Sequence, residues 1–205
     1  MRISLFSGVL GCAIALAGAA QSATLFSEDF SDEATNYGTT LNFAAFDQFS
    51  VSAGTVDLIN IAGFGITCQT TGCVDLDGST RDSGLMSSTV LNFVTGVQYM
   101  FSATLSGNQR SGGPDSVLFG ITNGVLSQTE SFAWNDGYTT FNIAFTVAAN
   151  TSGSIFFQDQ GNDNLGVILD RVSVSEAAVV PLPASLPLIL AGLGGLGLLP
   201  RRKST

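Results

Sequence analysis

Short runs in which apolar and polar residues alternate fill the middle of the chain, and clusters of turn formers separate them. Val97-Gln98-Tyr99-Met100-Phe101-Ser102-Ala103-Thr104-Leu105 and Phe141-Asn142-Ile143-Ala144-Phe145-Thr146-Val147 repeat with period two, the signature of a strand with one buried face. Similar runs occupy 25–30, 43–51, 55–61, 86–93, 116–121, 154–158 and 166–175. Between them lie segments such as Ser111-Gly112-Gly113-Pro114, Asn135-Asp136-Gly137 and Gly161-Asn162-Asp163-Asn164, rich in the residues that turns require. No long helical period occurs in this region. The pattern predicts an all-β fold, an antiparallel β-sandwich of jelly-roll type, over residues 24–176.

The two ends follow different rules. Arg2, the apolar stretch from Ile3 to Ala20 and the small residues Ala20, Ser22 and Ala23 make residues 1–23 a secretory signal peptide, cut between about Ala20 and Ala23. Val9-Leu10-Gly11-Cys12 has the outline of a lipidation site, but the apolar run continues well past it. At the other end, residues 177–205 hold Val180-Pro181-Leu182-Pro183-Ala184, an uncharged stretch with its membrane span at about 185–200, and then Arg201, Arg202 and Lys203. Counted back to Val179 the uncharged stretch would reach about 33 Å as a helix, enough to cross a bilayer. The basic cluster would stay on the cytoplasmic side, leaving everything before it outside. Pro181, Pro183 and Pro187 impose an extended entry to the span, which is the conformation a protease needs. The glycines from Gly192 to Gly197 match a nucleotide-binding spacing, but in an apolar tail with no βαβ unit around them.

This succession of motif, span and basic cluster resembles the C-terminal sorting signal of the PEP-CTERM group in its VPLPA variant. The resemblance covers Val179 to Thr205. It implies recognition of Val180 to Ala184 by an exosortase, a membrane-embedded protease of transpeptidase type. The expected route is export, anchoring in the inner membrane as a precursor, and transfer to the cell surface or the exopolysaccharide matrix of a biofilm. The alternative is an ordinary anchor that is never cut.

Charge narrows the partners of the body. All sixteen acidic residues fall within 24–176, against Arg81, Arg110 and Arg171, for a formal charge of −13. Such a surface repels phosphate backbones, so no nucleic-acid partner is expected, while divalent cations are favoured. Cys68 and Cys73, the two cysteines left after signal removal, are expected to form a small disulfide loop outside the cytoplasm.

Three segments carry a second resemblance: Cys73-Val74-Asp75-Leu76-Asp77-Gly78-Ser79, Leu105-Ser106-Gly107-Asn108-Gln109-Arg110, and Asp159 through Val172. The body looks like the galactose-binding-like jelly rolls found in many carbohydrate-binding modules. That resemblance implies a structural Ca²⁺ near the first and last strands, where Glu28, Asp29 and Asp170 stand. Asp75 and Asp77 are further candidate oxygen ligands, although Asp75-x-Asp77-Gly78 is only a fragment of an EF-hand loop.

Catalysis finds little support. With no histidine a Ser-His-Asp or Cys-His machine is excluded. Carboxylate pairs remain, Asp75 with Asp77 and Asp159 with Asp163, and each suits a structural turn or a cation as well as glycoside hydrolysis. For glycan recognition the candidates are Trp134, the single tryptophan, with Tyr138, Gln109 and Arg110. Trp134 is read either as a sugar-stacking platform or as a core residue. Arg110 either contacts the ligand or pairs with a nearby acid such as Asp115. The expected protein is thus a non-catalytic, exported surface or matrix protein, with a polysaccharide as its possible ligand. A structural matrix component without a ligand is the alternative, and a carboxylate-dependent glycosidase comes third.

Overall fold

The alternating runs form strands, and the computed structural model describes residues 22–177 of the chain. The signal peptide, the sorting motif Val180 to Ala184, the membrane span and the basic cluster Arg201 to Lys203 lie outside the described residues. In chain order the elements are β1 (Thr24–Glu28), α1 (Ser31–Tyr37), β2 (Phe49–Ser52), β3 (Asp57–Asn60), β4 (Gly72–Asp75), β5 (Leu85–Ser88) and β6 (Leu91–Phe93). They continue as β7 (Tyr99–Ser106), β8 (Asp115–Ile121), β9 (Leu126–Phe132), β10 (Thr139–Phe145), β11 (Thr151–Gly153), β12 (Ile155–Asp159) and β13 (Ile168–Glu176).

Two antiparallel sheets face each other, as the period-two pattern requires. One runs β10-β7-β13-β4-β3 and the other β2-β5-β12-β8-β9. β13 is the spine of the first: β7 follows one edge from Ser106 to Tyr99, while β4 and then β1 share the opposite edge. β6 and β11 make a small separate ribbon. Phe101, Ala103 and Leu105 of β7 share a face with Val174, Val172 and Leu169 of β13. They meet Phe119 of β8 and Phe157 of β12 in one buried cluster. The Phe101 and Phe119 rings stack at 5.9 Å, and so do Phe119 and Phe157. Each such side chain contributes roughly 1.5–3 kcal/mol by leaving water.

The next residues along the same strands face outward and build a second, smaller cluster. Ile59 of β3, Cys73 of β4 and Ile168 of β13 are covered by Ile66 and Cys68 from the loop after β3, and Tyr138 packs against them. Every strand and both clusters lie within one compact unit, Ser22–Ala177.

Several elements depart from the sequence pattern. The 86–93 run breaks into β5 and β6, and 43–51 is a strand only from Phe49. α1, β4, β9 and β11 were not anticipated. α1 has seven residues and buries only Glu33 and Ala34, too short a face to show a period. β9 lies at a sheet edge and reads Leu-Ser-Gln-Thr-Glu-Ser-Phe, so both of its faces are mostly polar.

Candidate functional site

The turn between β9 and β10 brings Trp134 into a cleft rather than into the core. Ala133 and Asp136 close this turn: the Ala133 N–H donates to Asp136 Oδ2 at 2.7 Å, and the Asp136 N–H to the Ala133 carbonyl at 3.0 Å. The segment after β7 holds the turn from below. The Gly107 N–H donates to the Asp136 carbonyl at 3.1 Å, and the Gln109 N–H to the Trp134 carbonyl at 2.8 Å. The approach is so close that a Cβ on Gly107 would lie 2.0 Å from the Ala133 carbonyl oxygen. Glycine at 107 is therefore a condition of the site.

The opposite wall is the disulfide loop. Cys68 and Cys73 are bonded, as their spacing predicted. Gln109 spans the floor, its Oε1 accepting from the Thr67 N–H at 3.0 Å and its Nε2 donating to the Thr67 carbonyl at 3.3 Å. The Tyr138 hydroxyl donates to the same carbonyl at 3.0 Å. Burial, with the charge of Asp170 behind it, pushes the Tyr138 phenol up to about 12, so it stays a neutral donor. The result is a cleft of about 440 Å³ lined by Trp134, Asn135, Asp136, Tyr138, Gln109 and Gln69.

Trp134 is 42% exposed, which removes the core alternative. An indole face beside amide and carboxylate groups is suited to a ligand with alternating C–H and hydroxyl surfaces. Gln109 serves as a builder of the wall, since both ends of its amide are taken by Thr67 and Ser106. Arg110 is not in the cleft. Its guanidinium turns to the buried Asp75, and this corrects the expected pairing with Asp115.

No family model and no curated protein matches the chain. Among solved structures it is similar to the CBM22-1 xylan-binding domain of Paenibacillus barcinonensis Xyn10C, with 13% identity, 79% of this chain and 99% of that one covered, and a TM-score of 0.47. It is also similar to the CBM6 module of Cellvibrio mixtus lichenase 5A, solved with cellotriose, with 14% identity, 68% and 96% covered, and a TM-score of 0.39. At these values the likeness is one of general shape and carries no information about a ligand.

The acidic residues divide among separate places. Asp75, Asp77 and Asp159 are almost fully buried and hold the loop before β13 by its backbone. Asp75 Oδ1 accepts from Asp77 and Gly166, Asp77 Oδ2 from Asp163 and Asn164, and Asp159 from Gly161 and Val167, all at 2.6–3.1 Å. Burial raises the Asp159 carboxyl to about 6, against the pull of those N–H donors, and lifts Asp75 well above its usual range despite Arg110. These aspartates act as loop anchors.

Asp170, also buried, accepts from the Gln69 and Thr70 N–H groups and from Arg171. It thereby fixes the disulfide wall of the cleft. Glu28 and Asp29 cap the backbone at Phe30 and Ser31. Each of Glu28, Asp29, Asp170, Asp75 and Asp77 is thus engaged by backbone N–H groups. Among the described residues no three acidic side chains converge as a ready ligand set.

Proposed function

We propose that this is an exported, non-catalytic surface or matrix protein whose sandwich holds a polysaccharide in the cleft around Trp134. The observation that carries the reading is the exposure of the single tryptophan in a cleft with rigid walls, the disulfide loop on one side and the Gly107-supported turn on the other. A preformed cleft spares the ligand the cost of ordering it, and an indole offers contact area at low entropy. The buried aspartates are occupied as backbone acceptors, which argues for a binding role over hydrolysis. Export and delivery rest on the signal peptide and on the Val180 to Ala184 tail; an exosortase is the proposed processing partner.

The test is retention of residues 22–177 on a panel of neutral and acidic polysaccharides, beside Trp134→Ala. Retention should fall at least tenfold in the variant while its melting temperature stays within about 1 °C, because the Gln109 contact is to the Trp134 backbone. Equal retention would remove Trp134 from the site. No retention by the folded parent would favour a structural matrix protein. Scrambling Val180 to Ala184 should leave uncut precursor in the membrane; normal processing would overturn the sorting reading.

A further inference from the structure

Besides Trp134, two aromatic side chains are largely exposed, Tyr37 at 55% and Phe64 at 57%. Tyr37 leans on Phe43, with ring centres 5.1 Å apart. Phe64 belongs to neither of the two packed clusters. It lies in the loop between β3 and β4, the same loop that forms the disulfide wall opposite Trp134.

This loop is fixed at its base. The Ile61 N–H donates to the Thr71 carbonyl at 2.8 Å and the Cys68 N–H to the Ile61 carbonyl at 3.0 Å. The Cys68–Cys73 bond closes the same stretch, and Ile66 is buried beneath it. Between these holds stands Gly63-Phe64-Gly65. Phe64 has φ 54° and ψ 25°, and Gly65 follows at φ 82°. Glycine and asparagine enter that left-handed region readily, whereas a phenylalanine there is strained, and strain of this kind collects where ligands are held. The ring is thus kept in water against both its backbone preference and the gain from burial.

We propose that Phe64 is a second contact for the polysaccharide, outside the cleft, so that the ligand is engaged along a run of sugars and not at a single terminal unit. This rests on the reading of the Trp134 cleft given above. Three links of chain separate Phe64 from Thr67, whose N–H and carbonyl hold Gln109 and Tyr138 in the cleft, so their Cα atoms are at most about 10 Å apart. A polymer leaving the cleft over this wall passes within reach of the ring, which offers an apolar face to the C–H side of a sugar as the indole does. From Leu58 to Val74 the sequence has no charged residue, in a body of −13, so the wall presents amide, hydroxyl and apolar groups to such a chain.

Calorimetric titration of the full chain, kept in detergent, with size-fractionated acid hydrolysates of xylan and of a mixed-linkage glucan tests this. Phe64→Asn accepts the left-handed backbone and should melt at or above the parent's temperature. It should bind the shortest fraction as the parent does and lose about tenfold on the longest. Phe64→Trp should keep the parent's affinity for the longest fraction, whereas Trp134→Ala should weaken every fraction. An equal loss on short and long fractions in Phe64→Asn, or no loss, would overturn the inference and leave the Trp134 reading standing. So would a dimer of the parent that Phe64→Asn abolishes, since the ring would then serve a contact between copies. Absence of binding to any fraction by the folded parent would overturn the cleft reading itself, and this inference with it.

Discussion

Lowering the pH from 7.5 to 5 should stabilise this domain, contrary to the behaviour of proteins whose acids are held by cations. Asp159 supplies most of the effect. Its carboxyl is 1% exposed and titrates at about 6 in the folded chain, against 3.8 when unfolded. A folded value above the unfolded one means that the native state binds the proton more tightly, so stability grows as pH falls through 6 and levels off below 3.8. At pH 7.5 almost no proton is bound in either state. At pH 5 the native group is about nine-tenths protonated and the unfolded one about one-tenth or less, a difference worth about 1.4 kcal/mol. For a domain of this size that corresponds to a rise in melting temperature of about 3–6 °C. Asp75, Asp115 and Glu28 are raised as well, each chiefly by burial, and act in the same direction. The assay is urea unfolding and thermal melting of residues 22–177 in chelator from pH 7.5 to 5. A flat or falling profile would refute the reasoning, as would an undiminished rise in Asp159→Asn, whose side chain no longer titrates.

Three further outcomes follow from the same contacts. Arg110→Ala strips Asp75 of its cation inside the protein and should cost about 3 kcal/mol at neutral pH, with part of the loss recovered near pH 5; a loss below 1 kcal/mol in chemical denaturation would contradict it. Gly107→Ala should displace the Ala133–Trp134 turn and reduce polysaccharide retention at least tenfold with the sheets intact by circular dichroism, and undisturbed retention would show that the turn is not held there. Cys68→Ser with Cys73→Ser opens a loop with a sequence separation of 5 and should lower stability by about 2 kcal/mol; loss of the whole fold would mean that the bridge does more than shape one wall.

Strands with one apolar face were legible because burial on a single side leaves a mark of period two. β7 and β10 show it within one or two residues of their observed limits. β9 left no such mark, since an edge strand has partners on one side only and its residues here are mostly Ser, Thr, Gln and Glu. Trp134 and Tyr138 were legible together because one turn holds both, and the structure adds Gln109 from the segment after β7. The role of Thr67 was not, since it reaches Gln109 across 42 positions and carries nothing in its own segment to announce it. The pairing of Arg110 failed for the same reason: Asp115 is close in sequence, whereas Asp75 is close only after β4 and β7 have joined β13. Nothing in its own segment singled out Glu33, and only the packing of α1 against β3 and β4 buries it.

The pairing of β1 with β13 settles how the domain can be attached to anything else. The Glu176 N–H donates to the Ala23 carbonyl at 2.8 Å, so the chain enters and leaves the sandwich side by side. Tyr138 and Thr139 stand instead beside Leu105, opposite Leu169 near the start of β13, about 25 Å along the strand from Glu176. A tether at either terminus would therefore hold the domain by one pole and leave the Trp134 opening at the other pole free. A linker, a label or an immobilising bead can be joined at residue 22 or residue 177 with the same orientation, and a sensor chip built that way would present every copy with its cleft toward the solution.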